Sequence, residues 1–136
     1  MQTLCEQTFP AATESLAAVR AVVRAACQQA GCHEDCTGEI VLAVNEACMN
    51  IIQHAYVFAA DREFRLRLLV NAGILQVQLL DNGRASTLAD LRPRELDDLR
   101  PGGLGVRFMR EVMDAVEYLP PPKGFSNLLQ LSKRIG

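Results

Sequence analysis

One stretch of the chain concentrates side chains that do chemistry. Glu46, Asn50, Gln53 and His54 recur at helical spacing. At about 100° per residue they fall within an arc of about 100°. Between them the residues are apolar nearly all round: Ile40, Val41, Leu42, Ala43, Val44, Ala47, Cys48, Met49, Ile51, Ile52, Ala55 and Tyr56. A helix of this kind is expected to be buried on most sides. A carboxylate buried without a partner costs on the order of several kcal/mol. The polar stripe is therefore expected to face a cavity, a cation or a polar ligand, unless it faces solvent or closes into a hydrogen-bonded core network. Asn45 alone lies well off it.

Two further segments have chemical potential. Arg100-Pro101-Gly102-Gly103-Leu104-Gly105 directly precedes a helical pattern. Glycines there let the backbone approach an anion, and the unpaired first N–H groups of a helix, with its dipole, favour negative charge. A flexible loop with a glycine helix entry is the plainer reading. Asp81-Asn82-Gly83 ends an alternating segment. Asp/Asn-Gly commonly marks a hairpin turn, but residues 84–91 do not read as a partner strand. A strand-terminal Asp entering a loop can accept a hydrogen bond from a ligand amine.

The elements that must position these groups follow from periodicity. Residues 3–9 read as a short edge strand ended by Pro10. A helix spans about 12–30, with Leu16, Val19, Val23, Ala26, Cys27 and Ala30 on its apolar face and Gly31 as its C-cap. A second helix spans about 34–56. Residues 63–70 and 74–81 alternate and form an antiparallel hairpin through Asn71-Ala72-Gly73. A polar loop covers 82–101, a third helix runs to about Ala115, and strands at about 115–119 and 127–134 flank a turn. The expected class is α+β: two layers, a mostly antiparallel mixed sheet with helices on one face, in one domain over 1–136.

Composition narrows the function. The 136 residues are 49% hydrophobic and 22% charged, an ordinary globular mix, with 14 basic and 16 acidic residues and a net charge of −2. No basic cluster exceeds Lys133-Arg134, so no direct nucleic-acid partner is expected. No apolar run reaches the roughly 18 residues of a membrane span, and the N-terminus has no signal-peptide pattern. Five cysteines without an export signal suggest reduced thiols in a cytoplasm. Cys27, Cys32, His33 and Cys36 match no common zinc spacing, and buried or surface thiols are expected there.

Taken in order, the helix stripe, the Asp-x-Gly and the Gly-Gly-x-Gly carry a resemblance. The text Asn45-Glu46-Ala47-Cys48-Met49-Asn50-Ile51-Ile52-Gln53-His54-Ala55-Tyr56, Asp81-Asn82-Gly83 and Gly102-Gly103-Leu104-Gly105-Val106 resembles the bacterial anti-sigma-factor serine kinases. These belong to the GHKL superfamily of histidine-kinase-like ATPases, whose fold is the Bergerat fold. The likeness starts at Phe9-Pro10-Ala11 and runs through Met113-Asp114-Ala115-Val116-Glu117-Tyr118 to Leu131-Ser132-Lys133-Arg134.

The resemblance implies ATP and Mg²⁺ as cofactors. Asn50 would bind Mg²⁺ through its carbonyl oxygen, in keeping with the ion's preference for oxygen ligands. Glu46 would be the general base toward a protein serine. Asp81 would accept from the adenine amine, and Gly83 would let the backbone pass close to the base. Gly102, Gly103, Leu104, Gly105 and Val106 would form the phosphate-binding segment, with Arg100 reaching the γ-phosphate. His54 would serve as a ligand or a structural hydrogen-bonding group. The implied partners are a sigma factor held inactive and a STAS-type anti-anti-sigma protein whose serine is phosphorylated, with a homodimer common in the family. A non-catalytic ATP-binding regulatory module is the alternative reading.

The chain departs from the family pattern in places. Ala85 stands where many relatives have a second glycine, which bears on the lid hinge. Phe125-Ser126-Asn127 stands where relatives often have Gly-Thr, so the hydroxyl near adenine is either Ser126 or missing. The segment 86–100 is short for a lid.

Overall fold

The computed structural model describes residues 2–56, 61–84 and 108–136. In chain order these give β1 (Gln2–Pro10), a 3₁₀ turn (Thr13–Ser15), α1 (Leu16–Gln29), α2 (Glu34–Asn50), a π turn (Ile51–Ala55), β2 (Glu63–Asn71), β3 (Ile74–Asp81), β4 (Ala115–Leu119) and β5 (Asn127–Arg134). A helical turn occupies 108–112.

The strands form one sheet in the order β1-β2-β3-β5-β4, and every described pairing is antiparallel. Period-two alternation decides which face is dry. Phe64, Leu66 and Leu68 of β2, Leu75, Val77 and Leu79 of β3, and Leu129 and Leu131 of β5 are buried. They share one core with Val19, Val23 and Cys27 of α1 and Ile40, Val44, Ala47 and Cys48 of α2. Both helices therefore cover the same face, the expected α+β arrangement.

The other face carries a polar row held by side chains in register. Glu6, Arg67, Gln78, Gln130 and Glu117 stand opposite one another across all strands of the sheet. Arg67 donates to Glu6 at 3.0 Å and to Gln78 at 3.0 Å, and Gln78 donates to Gln130 at 2.8 Å. Cross-strand pairs of this kind pin register, because a one-residue slip would turn this row into the core.

Helix boundaries differ modestly from the periodicity reading. α1 begins at Leu16 because residues 13–15 wind as a 3₁₀ turn, where Ser15 Oγ donates to the carbonyl of Pro10 at 2.8 Å. Gly31, at φ +79°, ends α1 in the left-handed conformation that glycine adopts without steric cost. The second helix reaches residue 56, but its last turn is wide: Tyr56 N–H donates five residues back, to Ile51, at 2.9 Å. Leu42, expected inside, is 53% exposed. It shares the i, i+4, i+8 face of Glu46 and Asn50, so that face of α2 opens outward rather than into the core. Among the described residues no helix is long and apolar enough to cross a membrane.

Candidate functional site

The carboxylate of Asp81 ends β3 at a buried position and is built into a hydrogen-bonded cluster. Its Oδ1 accepts from the Gly83 N–H at 2.9 Å and from Asn127 Nδ2 at 2.9 Å. Asn127 Nδ2 also donates to the Arg84 carbonyl at 2.8 Å. Among the described residues both bonds fall on Oδ1, and the other oxygen keeps its acceptor capacity. Burial pushes the Asp81 carboxyl above its ordinary value, and the bonds from Asn127 and Gly83 pull it back down. The two donors thus offset part of a rise whose largest cause is desolvation, and the net shift stays upward.

Register explains how Asn127 arrives there. β3 pairs with β5, and Asp81 lies directly opposite Asn127. Ser126, the expected hydroxyl, is turned onto backbone instead. Its Oγ donates to the Gly83 carbonyl at 2.7 Å and to the Asp81 carbonyl at 3.3 Å, while its N–H donates to the Asp81 carbonyl at 2.9 Å. The side chain on the Asp81 carboxylate is the amide of Asn127, for which local periodicity carries no signal beyond the start of a closing strand. Ser126 fastens the loop that the carboxylate begins.

Gly83 permits a close approach, although the neighbour is protein. A Cβ at this position would overlap the Ala55 carbonyl oxygen and lie 2.6 Å from its carbon. Arg84 N–H donates to that same carbonyl at 2.8 Å. The loop after β3 is thereby docked on the end of the second helix. Tyr56 reinforces the joint: its hydroxyl donates to the Glu63 carbonyl at 2.6 Å and accepts from Asn82 N–H at 2.7 Å. Arg62 lies over its ring at 5.0 Å and donates to the Asn82 carbonyl at 3.0 Å. Periodicity counted Tyr56 only as core, because a pattern of apolar spacing does not register a hydroxyl.

Glu46 and Asn50 lie one turn apart on α2, just before the π turn. Burial alone raises the Glu46 carboxyl. Asn50 is half-buried, and its Nδ2 is inaccessible to solvent with no hydrogen-bond partner among the described residues. An orphaned buried amide costs about 1–3 kcal/mol and calls for a ligand. The same amide carries Oδ1, a hard oxygen donor of the kind Mg²⁺ takes. The residues present fit the implied ion and nucleotide by their chemistry: an amide oxygen of the kind Mg²⁺ takes, a desolvated carboxylate one turn before it, and a buried Asp whose second oxygen can accept from a ligand. Asn45, off this face, accepts from Arg20 of α1 at 2.9 Å and ties the two helices together.

The structure thus brings Asp81, Gly83 and Ser126 together, and sets Glu46 and Asn50 on the helix against whose end they dock. The wide turn at Ile51–Ala55 breaks the 100° step, so the angular stripe extends from Glu46 to Asn50 and its continuation to Gln53 does not follow from regular helix geometry. Arg100, Gly102, Gly103, Leu104, Gly105 and Val106 lie outside the described residues, as do Ala85, the 86–100 segment and the side chain of His54.

A two-layer α+β fold with an antiparallel sheet, helices on one face and an Asp at the end of a central strand is that of the histidine-kinase-like ATPases. The family model described as "Histidine kinase-like ATPase domain" matches residues 9–133, and the chain belongs to that family. Within it, the chain is similar to bacterial serine-protein kinases. It is 32% identical over 124 residues to the serine-protein kinase RsbW of Bacillus pumilus (strain SAFR-032), covering 84% of this chain and 76% of that protein. It is 31% identical over 119 residues to RsbW of Bacillus subtilis (strain 168), covering 82% and 74%. The serine/threonine-protein kinase BtrW of Bordetella bronchiseptica (strain ATCC BAA-588 / NCTC 13252 / RB50) is 34% identical over 83 residues, covering 58% of each chain. The crystal structure of the RsbU and RsbW domains of Rv1364c from Mycobacterium tuberculosis shares the fold, with a TM-score of 0.68 at 16% identity, over 96% of this chain and 31% of that one.

Proposed function

We propose that this chain, as one domain over 1–136, is an anti-sigma factor with ATP-dependent protein-serine kinase activity. The observation that carries the reading is the pairing of Glu46 with Asn50, whose amide nitrogen has no partner among the described residues, one turn later on the helix against which the Asp81 loop docks. Asp81 accepts the exocyclic amine of adenine through its spare oxygen, and Asn127 and Gly83 orient it. Asn50 holds Mg²⁺, which when bound neutralises phosphate charge. Gly102, Gly103, Leu104, Gly105 and Val106 supply backbone contacts to the phosphates, and Arg100 meets the γ-phosphate. His54 completes this side as a ligand or as support for the helix.

Glu46 takes the proton from the hydroxyl of an incoming protein serine. The serine oxygen forms its bond to the γ-phosphorus as the bond to the bridging oxygen breaks, and ADP leaves. Desolvation suits Glu46 to this role, since a carboxylate with raised proton affinity is a stronger base near neutral pH. The acceptor is a STAS-type anti-anti-sigma protein in the cytoplasm, and the second partner is a sigma factor. Phosphorylation of the first weakens its complex and frees the kinase for the second, a linkage between two binding equilibria.

The test is transfer of labelled phosphate from ATP to a candidate anti-anti-sigma protein. Glu46→Gln is expected to abolish transfer while nucleotide binding persists. Equal transfer by that variant removes Glu46 as the base. Nucleotide-dependent partner binding without any transfer by wild type favours a non-catalytic regulatory module.

A further inference from the structure

The outward face of α2 continues past Glu46 toward the start of the helix, and neither of the next two residues on it is explained by packing. Leu42 lies one turn before Glu46 and is 53% exposed. Ile74, the other exposed large apolar side chain among the described residues, abuts the β2–β3 turn, whereas Leu42 stands in mid-helix. Leaving a leucine in water forgoes the stabilisation that its burial would give. Gly38 lies one turn earlier, inside the same helix. Glycine is the poorest helix residue after proline. Gly31, Gly73 and Gly124 have positive φ, but Gly38 does not, and a Cβ placed on it meets no described atom within 4 Å. Neither conformation nor crowding demands a glycine there. A bare stretch of helix does admit the close approach of another chain.

Charge adds a third feature. α2 carries Glu34, Asp35, Glu39 and Glu46 and neither lysine nor arginine. Glu34 meets Arg24 of α1 at 3.4 Å, and Asp35 lies in the first turn, where the helix dipole favours a carboxylate. Glu39 has neither support. It is past the first turn, partly exposed and without an ion pair among the described residues. It adjoins Gly38 and lies almost two turns before Glu46, so it borders the same face. Arg20 of α1 is engaged by Asn45 at 2.9 Å.

Spacing joins these features to the proposed phosphotransfer. Gly38, Leu42 and Glu46 recur every four residues, about 6 Å along the helix axis per step. In an extended chain the side chains of one face recur every two residues, about 6.6 Å apart. We propose that the acceptor segment lies extended along α2, and that Leu42, Gly38 and Glu39 read the residues around its serine; this rests on the kinase reading above. With the serine hydroxyl at Glu46, the side chain two residues away lies on Leu42 and is apolar. The side chain four residues away lies over Gly38, where no Cβ stands in its way, and is a lysine or arginine that reaches Glu39. The acceptor is thus a serine with an apolar residue two positions off and a basic residue four positions off, on the same side. Leu42 and Gly38 take no part in holding nucleotide, so acceptor choice and ATP binding separate.

The probe is a fluorescein-labelled peptide, Lys-Ala-Leu-Ala-Ser-Ala-Leu-Ala-Lys, titrated onto the full chain with ATP and Mg²⁺ present. Its symmetry makes the direction in which it lies immaterial. The expected result is saturable binding that weakens about tenfold or more when aspartate replaces both leucines of the peptide, the order for loss of a small apolar contact. Leu42→Asp is expected to weaken the original peptide to the same extent, with ATP binding at the wild-type level. Gly38→Leu is expected to raise the melting temperature, because it removes a glycine from a helix, and yet to weaken the peptide. Glu39→Lys is expected to prefer a peptide whose lysines are replaced by glutamates. The proposal is overturned if wild type does not bind the peptide, if the aspartate peptide binds equally, or if Leu42→Asp binds as wild type does. Phosphate transfer to the peptide serine, scored in the same mixtures, bears on the kinase reading by itself: selective binding without transfer overturns that reading and leaves the strip as a docking site.

Discussion

The two halves of the candidate site are built on opposite plans. Around Asp81 the protein satisfies itself: Gly83, Asn127, Ser126 and Tyr56 form a closed set of hydrogen bonds at 2.6–3.3 Å that exists without any ligand. On α2 it does not. Asn50 carries an amide nitrogen with no partner among the described residues, and burial penalises the charge of Glu46. The first region is organised by its own hydrogen bonds. The second leaves a polar cost that, under the proposed function, a bound ligand would relieve. Stability and function should therefore respond with the same sign in the first region and with opposite signs in the second.

Glu46→Gln breaks this comparison most sharply. Phosphotransfer is expected to fall by about 10²–10⁴-fold, the usual contribution of a positioned base. Stability should not fall with it. The folded-state pKa of Glu46 lies above its ordinary 4.5. Its charge therefore costs folding free energy at neutral pH, and the cost vanishes as pH falls through the raised value. Thermal melts should show Glu46→Gln as stable as wild type or more so at neutral pH, with the difference shrinking on acidification. The acidic limb of the wild-type transfer profile should lie above 4.5 for the same reason.

Gly83→Ala acts on the other region. Its Cβ meets backbone rather than a flexible side-chain tip, so the loop must leave Ala55. A loss of about 1–3 kcal/mol is expected from overpacking of this kind, read as a lower denaturation midpoint together with weaker ATP binding. Asn127→Ala removes a donor from Asp81 and another from the Arg84 carbonyl. Stability should drop by about 1–2 kcal/mol, and selectivity for ATP over GTP should fall with it, measured by nucleotide titration. Asn50→Leu is the smallest change in stability and the most telling in sign. Replacing the orphaned amide by an apolar group is expected to hold or raise the melting temperature, by under about 1 kcal/mol, while Mg²⁺-dependent nucleotide binding is lost.

The same contrast separates what could be read in the sequence from what could not. The β2–β3 hairpin, the closing strands 115–119 and 127–134 and the face of α1 were legible because they follow local periodicity. The helix carrying Glu46 and Asn50 was legible too, since a polar stripe in apolar text needs no tertiary knowledge. Asn127 was not. Its meaning depends on β3 pairing with β5 across a long insertion, which alone places it opposite Asp81. The π turn at Ile51–Ala55 was hidden for a similar reason: its residues read as continuing helix, and the wider turn belongs to the place where the loop at Gly83 and Arg84 docks on Ala55. From the family resemblance the hydroxyl near adenine was expected to be Ser126 or missing, and in the structure the Ser126 hydroxyl is held by two nearby carbonyls.

The central claim is that the α2 face is an incomplete half-site awaiting Mg²⁺ and nucleotide. Calorimetric titration with ATP and ADP, with and without Mg²⁺, on wild type and Asn50→Ala tests it most directly. The account predicts Mg²⁺-dependent nucleotide binding that Asn50→Ala weakens in a protein that remains folded. Nucleotide binding by Asn50→Ala equal to wild type, or no binding by folded wild type, would contradict it.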